Sequence, residues 1–527
     1  MKAKNDEPQT EVEFPLRVAC VDMGSNAIRF VASEFANEGE YSVLASERRP
    51  VRLGHGVYLS GRLDEGAMNA AVGALVDFRS EMDRLGIEHL RAVATSAVRE
   101  SNNGDDFVAR VLEESGIELE RISGSEEARL VHKAVATRVP LGNRRWLLVD
   151  LGGGSVEVSL VDQHGSIWSE SHTMGSVRLL EELTEAGADP GRFRRLLEEY
   201  ISVLRVPEGA TGSQLGGYIA TGGNIETLAK LGGYPSEEGV TTLPLDTLRG
   251  VIDRLARMSF RERVDELGLR EDRADVVLPA ALVYDRLGVL CEADEIIVPH
   301  VGIKEGVLYD IVSRLVRYHD HVDRQSREIL SSAVTLGRKY LFDEAHCRHV
   351  GELALKIFDQ TRQLHELPAE SRKVLHAAGL LHDIGQFVSY KGHHKHSLYL
   401  ISHSELPNFS DREMMLVANV ARYHRKAHPS PHHHFYTALE EKDQEVVTRL
   451  AAILRLADSL DREHLQRIRD LTVRISNRDV TLWLEGTGGL LLEDWSLKKK
   501  AQLFTKVFDR KVKLRFVEEP ESREAVQ

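Results

Sequence analysis

The hydrophobic pattern of this chain switches between two periods. From Arg17 to Phe35, RVACVDMGSNAIRFVASEF reads as a β-branched strand, a Gly-Ser-Asn turn and a second strand, which predicts a hairpin. The same design returns at Trp146 to Asp162, WLLVDLGGGSVEVSLVD, and in both copies an aspartate, Asp22 or Asp150, stands just before the glycine turn. A repeat at about one domain length points to two similar domains, and two lobes imply a cleft. Helical periodicity in segments such as Ala67 to Gly86 alternates with short apolar strands such as Leu90 to Val98 and Gly216 to Gly223, which predicts an α/β class. From about Val312 strands give way to helical spacing, and histidine becomes dense as far as about Leu465. The last segment predicts two strands, a lysine-rich helix and a further strand.

The expected organisation is a disordered tail at 1–15, α/β domains at 16–136 and 137–311, a helical domain at 312–465, a small α+β cap at 466–519 and a disordered end at 520–527. With 527 residues, 42% of them hydrophobic, the chain has material for several packed cores. Three widely spaced cysteines give no basis for a disulfide framework or a cysteine zinc site. The polar first residues and the lack of a long apolar run predict a cytoplasmic protein with no membrane span. A net charge of -14 argues against nucleic acid as a partner, so a polyanion would be held by local donors.

Those donors are expected at the glycine turns. Gly152, Gly153, Gly154 and Ser155 can bring backbone N–H groups close to phosphate, as can Gly24, Ser25 and Asn26 in the first copy. A third turn, Gly222 and Gly223 in YIATGGNIETL, follows a strand and opens a helix, where helix N-terminal amides can bind an anion. Carboxylates beside such loops make sense around a hard cation, and Asp22, Asp150 and Glu157 are the candidates to hold Mg²⁺.

In their order these three turns resemble the actin and hexokinase superfamily, which implies two RNase H-like, actin-like ATPase domains around a cleft. More narrowly, VDMGSNAIRF, ATSAVRES, ISGSEEARL, VDLGGGSVEV, IATGGNIETLA and GIKEGVLYD resemble, in order, the exopolyphosphatase and guanosine pentaphosphate phosphohydrolase family, Ppx/GppA, over about Arg17 to Asp310. The resemblance implies that Glu127 in ISGSEEARL orients and deprotonates the attacking water, with Glu126 as its rival. It also implies that Asp150 and Glu157 are magnesium-associated, that the first two turns are phosphate loops, and that Arg99 contacts phosphate.

The histidine-rich region places AHCRHVGELALKIFDQ, AAGLLHDIGQF, KGHHKHSLYLI, VARYHRKAH and LRLADSLDREH on a helical bundle. Imidazoles and carboxylates gathered there suit Mn²⁺, Fe²⁺ or Zn²⁺. The pattern resembles the HD phosphohydrolase superfamily and implies an all-α HD-like domain. Its implied ligands are His346, His382, Asp383 and Asp458, with His396 and His424 for a second ion and His349 as a rival to His346. Gln386 stands where catalytic HD proteins often carry lysine. The runs His393-His394 and His432 to His434 are expected in solvated loops, and Arg422, Arg425 and Lys426 on a solvated face or against a polyanion.

The resulting expectation is an exopolyphosphatase that hydrolyses terminal phosphate from inorganic polyphosphate. The alternatives are a guanosine pentaphosphate (pppGpp) 5′-phosphohydrolase and a phosphate or nucleotide sensor. The family resemblance implies a homodimer.

Overall fold

The computed structural model describes residues 13–184, 190–207, 209–212, 215–236, 239–316, 318–486 and 491–516. The two expected tails lie almost wholly outside these residues. The chain divides into two compact units, Met1–His321 and Val322–Gln527. Among the described residues no helix is long and apolar enough to cross a membrane.

The first unit holds two mixed sheets. The first comprises β1 (Leu16–Met23), β2 (Ile28–Phe35), β3 (Tyr41–Arg49), β4 (His89–Ala94) and β5 (Leu119–Arg121), in the order β3-β2-β1-β4-β5. The second comprises β6 (Arg145–Leu151), β7 (Val156–Asp162), β8 (Gly165–His172), β9 (Leu215–Thr221), β10 (Tyr234–Pro235), β11 (Thr241–Pro244) and β12 (Glu295–Val298). Its order, β10-β11-β12-β9-β6-β7-β8, contains the first sheet's pattern again: an antiparallel meander followed by two parallel neighbours. The expected repeat is thus visible as repeated topology. Asp22 pairs with Arg29 across its hairpin, and Asp150 pairs with Glu157 at the corresponding place in the other. The strands that carry them are buried along nearly their whole length, as both faces are covered by helices.

The helix Gly124–Val135 runs between the sheets. Ser123 caps it, its side chain accepting from the Glu126 N–H at 3.2 Å, and both Glu126 and Glu127 are buried in the first turn. The helix Ile303–Val316 returns to the first sheet, where Val307, Leu308, Ile311 and Val312 share a core with Leu16, Val18, Val93 and Leu130. This moves a boundary. The expected boundary at 312 falls inside this helix, and Val312 shares the first unit's core with the residues before it, so the whole helix belongs with the first unit.

The second unit is built on the helices Glu344–Gln360, Ser371–Leu381, His393–Ser402, Asp411–Arg422 and Glu441–Ser459. A sheet of β13 (Ile468–Ile475), β14 (Asp479–Gly486) and β15 (Lys511–Phe516) follows, with β13 antiparallel and β15 parallel to β14. Ile468, Leu482, Leu484 and Phe504 enter the same buried cluster as Leu353, Leu380 and Ile453. The segment expected as a separate cap is therefore continuous with the helical core.

Candidate functional site

The first two glycine turns meet each other. In the first, the Gly24 N–H donates to the Ala27 carbonyl at 3.2 Å; in the second, the Gly152 N–H donates to that of Ser155 at 3.0 Å. The second is also held by the Ser176–Thr184 helix, since Val177 N–H donates to the Gly153 carbonyl at 2.8 Å. A Cβ on Gly153 would stand 2.8 Å from the Ser25 Cβ, so only glycine permits this approach of the two lobes. The Ser25 hydroxyl lies 2.7 Å from the Tyr58 hydroxyl and 3.1 Å from that of Ser96. Asn26 donates to the Asp272 carbonyl at 2.9 Å. Gly222 and Gly223 open the helix Gly223–Gly232 directly after β9.

Four carboxylates gather beside these turns. Arg29 donates to Asp22 at 2.9 Å, Thr221 donates to Asp150 at 2.5 Å, and Ser171 donates to Glu157 at 2.9 Å. The second oxygen of Glu157 is buried without a hydrogen-bond partner. Arg99 donates from one nitrogen both to the Ile122 carbonyl, 2.6 Å away, and to Glu127, 2.7 Å away. Gly124 brings the helix start against Ser171 and Glu157, which is how the Glu127 motif reaches the β6–β7 hairpin.

The electrostatics separate Glu127 from Glu126. Burial raises Glu127, Arg99 opposes it, and Asp150 and Asp22 add to the rise, which reaches about 7. Burial also raises Glu157 and Asp150; Glu127 and Asp150 add to the rise at Glu157, and Asp22 at Asp150. For Glu126 the burial cost is overcome by Arg129 and Arg91, which pull it down to about 2. Its partners are Arg91 at 3.0 Å and Arg129 at 2.8 Å, in a network centred on Asp310. Glu126 is therefore an ion-pair residue, and Glu127 faces the carboxylate cluster.

Three arginines near the turns were not singled out by sequence. Arg29 meets Asp22, Arg48 pairs with Asp272, and Arg273 donates to Asn224 at 3.1 Å, with its Nε buried without a hydrogen-bond partner, 3.9 Å from the Asp272 carboxylate. Burial first, then Arg29 and Arg48, lower Arg273 to about 10. Guanidinium groups crowded in this way suit an anion.

In the second unit, His346, His382 and Asp458 bring ligand atoms within 4.8 Å of one another, as do Asp383, His393 and His424. His396 is in neither group. On its helix, positions 393, 394, 397, 398 and 401 are buried, and His396 falls off that face. The run His393-His394, expected in solvated loops, is buried, because Gly392 with φ 82° turns the chain into the helix at that point. His349 is half-buried and takes part in neither group, whereas His346 is fully enclosed. Gln386 donates to Asp383. His432 and His434 are exposed.

Residues 31–315 match the Ppx/GppA phosphatase family, over more than half of the chain. The chain belongs to the Ppx/GppA phosphatase family. Residues 329–502 match domain III of Ppx/GppA phosphatases, so the family's own third domain accounts for the histidine-rich region and no separate HD-type domain is established. A guanosine-5′-triphosphate,3′-diphosphate pyrophosphatase of Photobacterium profundum is 26% identical over 85% of this chain and 88% of its own. A similarly named protein of Aliivibrio fischeri is 26% identical over 90% and 93%. An exopolyphosphatase of Cytophaga hutchinsonii has 28% identity and a TM-score of 0.53 over 57% of this chain and 98% of its own.

This Ppx/GppA phosphatase has the actin-like α/β fold of its family and is a hydrolase of phosphoanhydride bonds. Members are generally metal-dependent. Tyr58, which touches Ser25, had no signal in the sequence; Ser96, which touches it too, lies within the ATSAVRES motif but was not singled out there. Arg29 had one: it sits at the hairpin position that Glu157 takes in the second repeat.

Proposed function

We propose that the first unit removes terminal phosphate from inorganic polyphosphate, with Glu127 as general base. The observation that carries this reading is the buried Glu127, held by Arg99 at 2.7 Å and raised toward neutrality beside the glycine turns. A base poised near the working pH is suited to take a proton from water. The water oxygen attacks the terminal phosphorus, Glu127 takes the proton, and the bond to the bridging oxygen breaks, releasing phosphate and a chain shorter by one. Arg99 and the amides of Ser25, Asn26 and Gly153 to Ser155 stabilise charge on the equatorial oxygens.

Asp22, Asp150 and Glu157 fit a divalent cation such as Mg²⁺. They form a cluster of like charge with an unpartnered buried oxygen on Glu157, an arrangement a hard cation relieves. When bound, that ion would neutralise charge on the phosphate oxygens.

Polyphosphate is favoured over a nucleotide by the guanidinium groups of Arg29, Arg48 and Arg273, since successive cations suit successive phosphates. The runner-up is pppGpp, supported by the names of the curated relatives that span most of the chain. Phosphate release from long-chain polyphosphate and from pppGpp, measured side by side with Mg²⁺, separates them. A kcat/KM at least tenfold higher on polyphosphate is expected; the opposite ratio would replace this reading with the runner-up.

A further inference from the structure

The glycine turn of the second lobe is aimed by groups behind it. In a trans peptide the carbonyl and the following N–H point in opposite directions, so a partner that holds one residue's carbonyl also sets where the next amide points. The start of the helix Ser176–Thr184 holds three carbonyls in this way. The N–H of Ser176 donates to Gly152 at 3.1 Å, that of Val177 to Gly153 at 2.8 Å, and that of Gly175 to Gly154 at 3.1 Å. Amides at a helix start lack intrahelical partners, and here the turn supplies them. The amides of Gly153, Gly154 and Ser155 are thereby turned away from the helix. Arg178 adds a charged donor, its Nε donating to the Gly154 carbonyl at 2.9 Å.

The reach of Arg178 extends to the first lobe. Its Nη2 pairs with Glu100, and its guanidinium carbon lies 4.1 Å from the centre of the Tyr58 ring. Glu182 on its own helix is farther, at 3.9 Å. With the Arg178 side chain only 10% exposed, the pair with Glu100 is largely shielded from water. The Tyr58 hydroxyl is the one that stands 2.7 Å from Ser25, and a Cβ on Gly154 would overlap it. Glu100 directly follows the helix Ser96–Arg99, whose last residue holds Glu127. One guanidinium therefore joins three points: the carbonyl behind the Ser155 amide, the ring whose hydroxyl meets Ser25, and the residue beside Arg99. Three residues along the same helix, Glu181 makes a parallel link, accepting from the Gly56 N–H at 2.7 Å.

We propose that Arg178 is a positioning residue for phosphoanhydride hydrolysis, setting the register between the amides that hold the terminal phosphate and the Arg99–Glu127 pair that activates water. It acts through Gly154, Tyr58 and Glu100 and touches neither substrate nor water. This rests on the reading of the first unit given above, in which the glycine turns hold phosphate and Glu127 is the base. Arginine suits the place because a planar fork donates to a carbonyl and a carboxylate at once while its face lies on an aromatic ring; an ammonium is a single point charge. The two halves of the site come from different lobes, and a misplacement of about 1 Å between reacting groups costs about 10²-fold in rate.

The test compares full-length wild type, Arg178→Ala and Glu100→Gln. Hydrogen–deuterium exchange read by mass spectrometry reports the link without substrate: Arg178→Ala should exchange faster at 53–61 and 96–103, both on the other lobe. Unchanged exchange there in the folded variant would overturn the link. Phosphate release with Mg²⁺, from polyphosphate and from pppGpp, reads the consequence. In Arg178→Ala kcat should fall about 30–100-fold while KM stays within about threefold, and millimolar methylguanidinium, unlike methylammonium, should recover part of the loss. A kept kcat, or a loss carried by KM alone, would overturn the positioning role. If Arg178→Ala does not fold, Glu100→Gln decides: kcat should fall about tenfold, the worth of one charged hydrogen bond, and an unchanged kcat would overturn the role. A wild type that releases phosphate from neither substrate defeats the reading of the first unit and this role with it; an active wild type beside an equally active Arg178→Ala defeats this role alone.

Discussion

Glu126 and Glu127 are neighbours in the first turn of one helix, equally buried, and serve opposite clusters. On the Glu126 side, Arg91, Arg129, Lys133 and Arg314 surround Glu126 and Asp310, and both acids are held far below the usual range. On the Glu127 side, Glu127, Asp150 and Glu157 are raised, because burial and mutual repulsion outweigh their cationic and hydrogen-bonding partners. The first cluster fastens Gly124–Val135 to β4 and to Ile303–Val316. The second is costly to the empty protein and suited to a cation and an anionic substrate, as functional sites commonly are.

The largest effect on stability should come from the paired side. Asp310→Ala removes a carboxylate shared by four cations and should destabilise the first unit by about 3–5 kcal/mol, measured by denaturant unfolding. Next comes acid sensitivity. Because Glu126 is lower in the folded state than its ordinary value of 4.5, it contributes stability above that pH that is lost as pH falls toward 2. Glu126→Gln should remove about 3 kcal/mol of stability at neutral pH and flatten the acid limb of the unfolding curve between pH 4.5 and 2. An acid limb unchanged in the variant would mean that other acids set it.

The side whose carboxyls are raised should respond with the opposite sign. A raised carboxyl costs stability as pH rises above its ordinary 4.5, so Glu157→Gln should stabilise the metal-free first unit at pH 8, with the gain shrinking as the pH falls. Millimolar Mg²⁺ should raise the melting temperature of the wild type and leave that of Glu157→Gln nearly unchanged, by differential scanning calorimetry. A variant less stable than the wild type without metal would mean that the hydrogen bond from Ser171 outweighs the cost of burying Glu157.

Much of the first unit was legible in the sequence, because hairpins and glycine turns are local. Asp22 and Asp150 could be recognised as equivalent from pattern alone, and repeated sheet order accompanies them. What could not be read were partnerships between distant segments: Asn26 meets Asp272 from 246 residues away, and Tyr58 and Ser96 close on Ser25. The start of the second unit was misplaced because helical periodicity marks an amphipathic helix without naming the core it packs on, as Val312 illustrates. His393 was missed for a related reason. A histidine run looks solvated until the rotation of its helix is known, and the burial of Ser397, Leu398 and Ile401 then sets which ring turns inward.

The central claim is that these adjacent glutamates divide catalysis from structure. The direct measurement is the rate of phosphate release from polyphosphate with Mg²⁺ by wild type, Glu127→Gln and Glu126→Gln, each checked for folding at neutral pH. Loss of a general base predicts a fall of about 10²–10⁴-fold in kcat for Glu127→Gln, with less than a fivefold change for folded Glu126→Gln. A Glu127→Gln enzyme that keeps its rate, or a folded Glu126→Gln enzyme that loses as much, would contradict it.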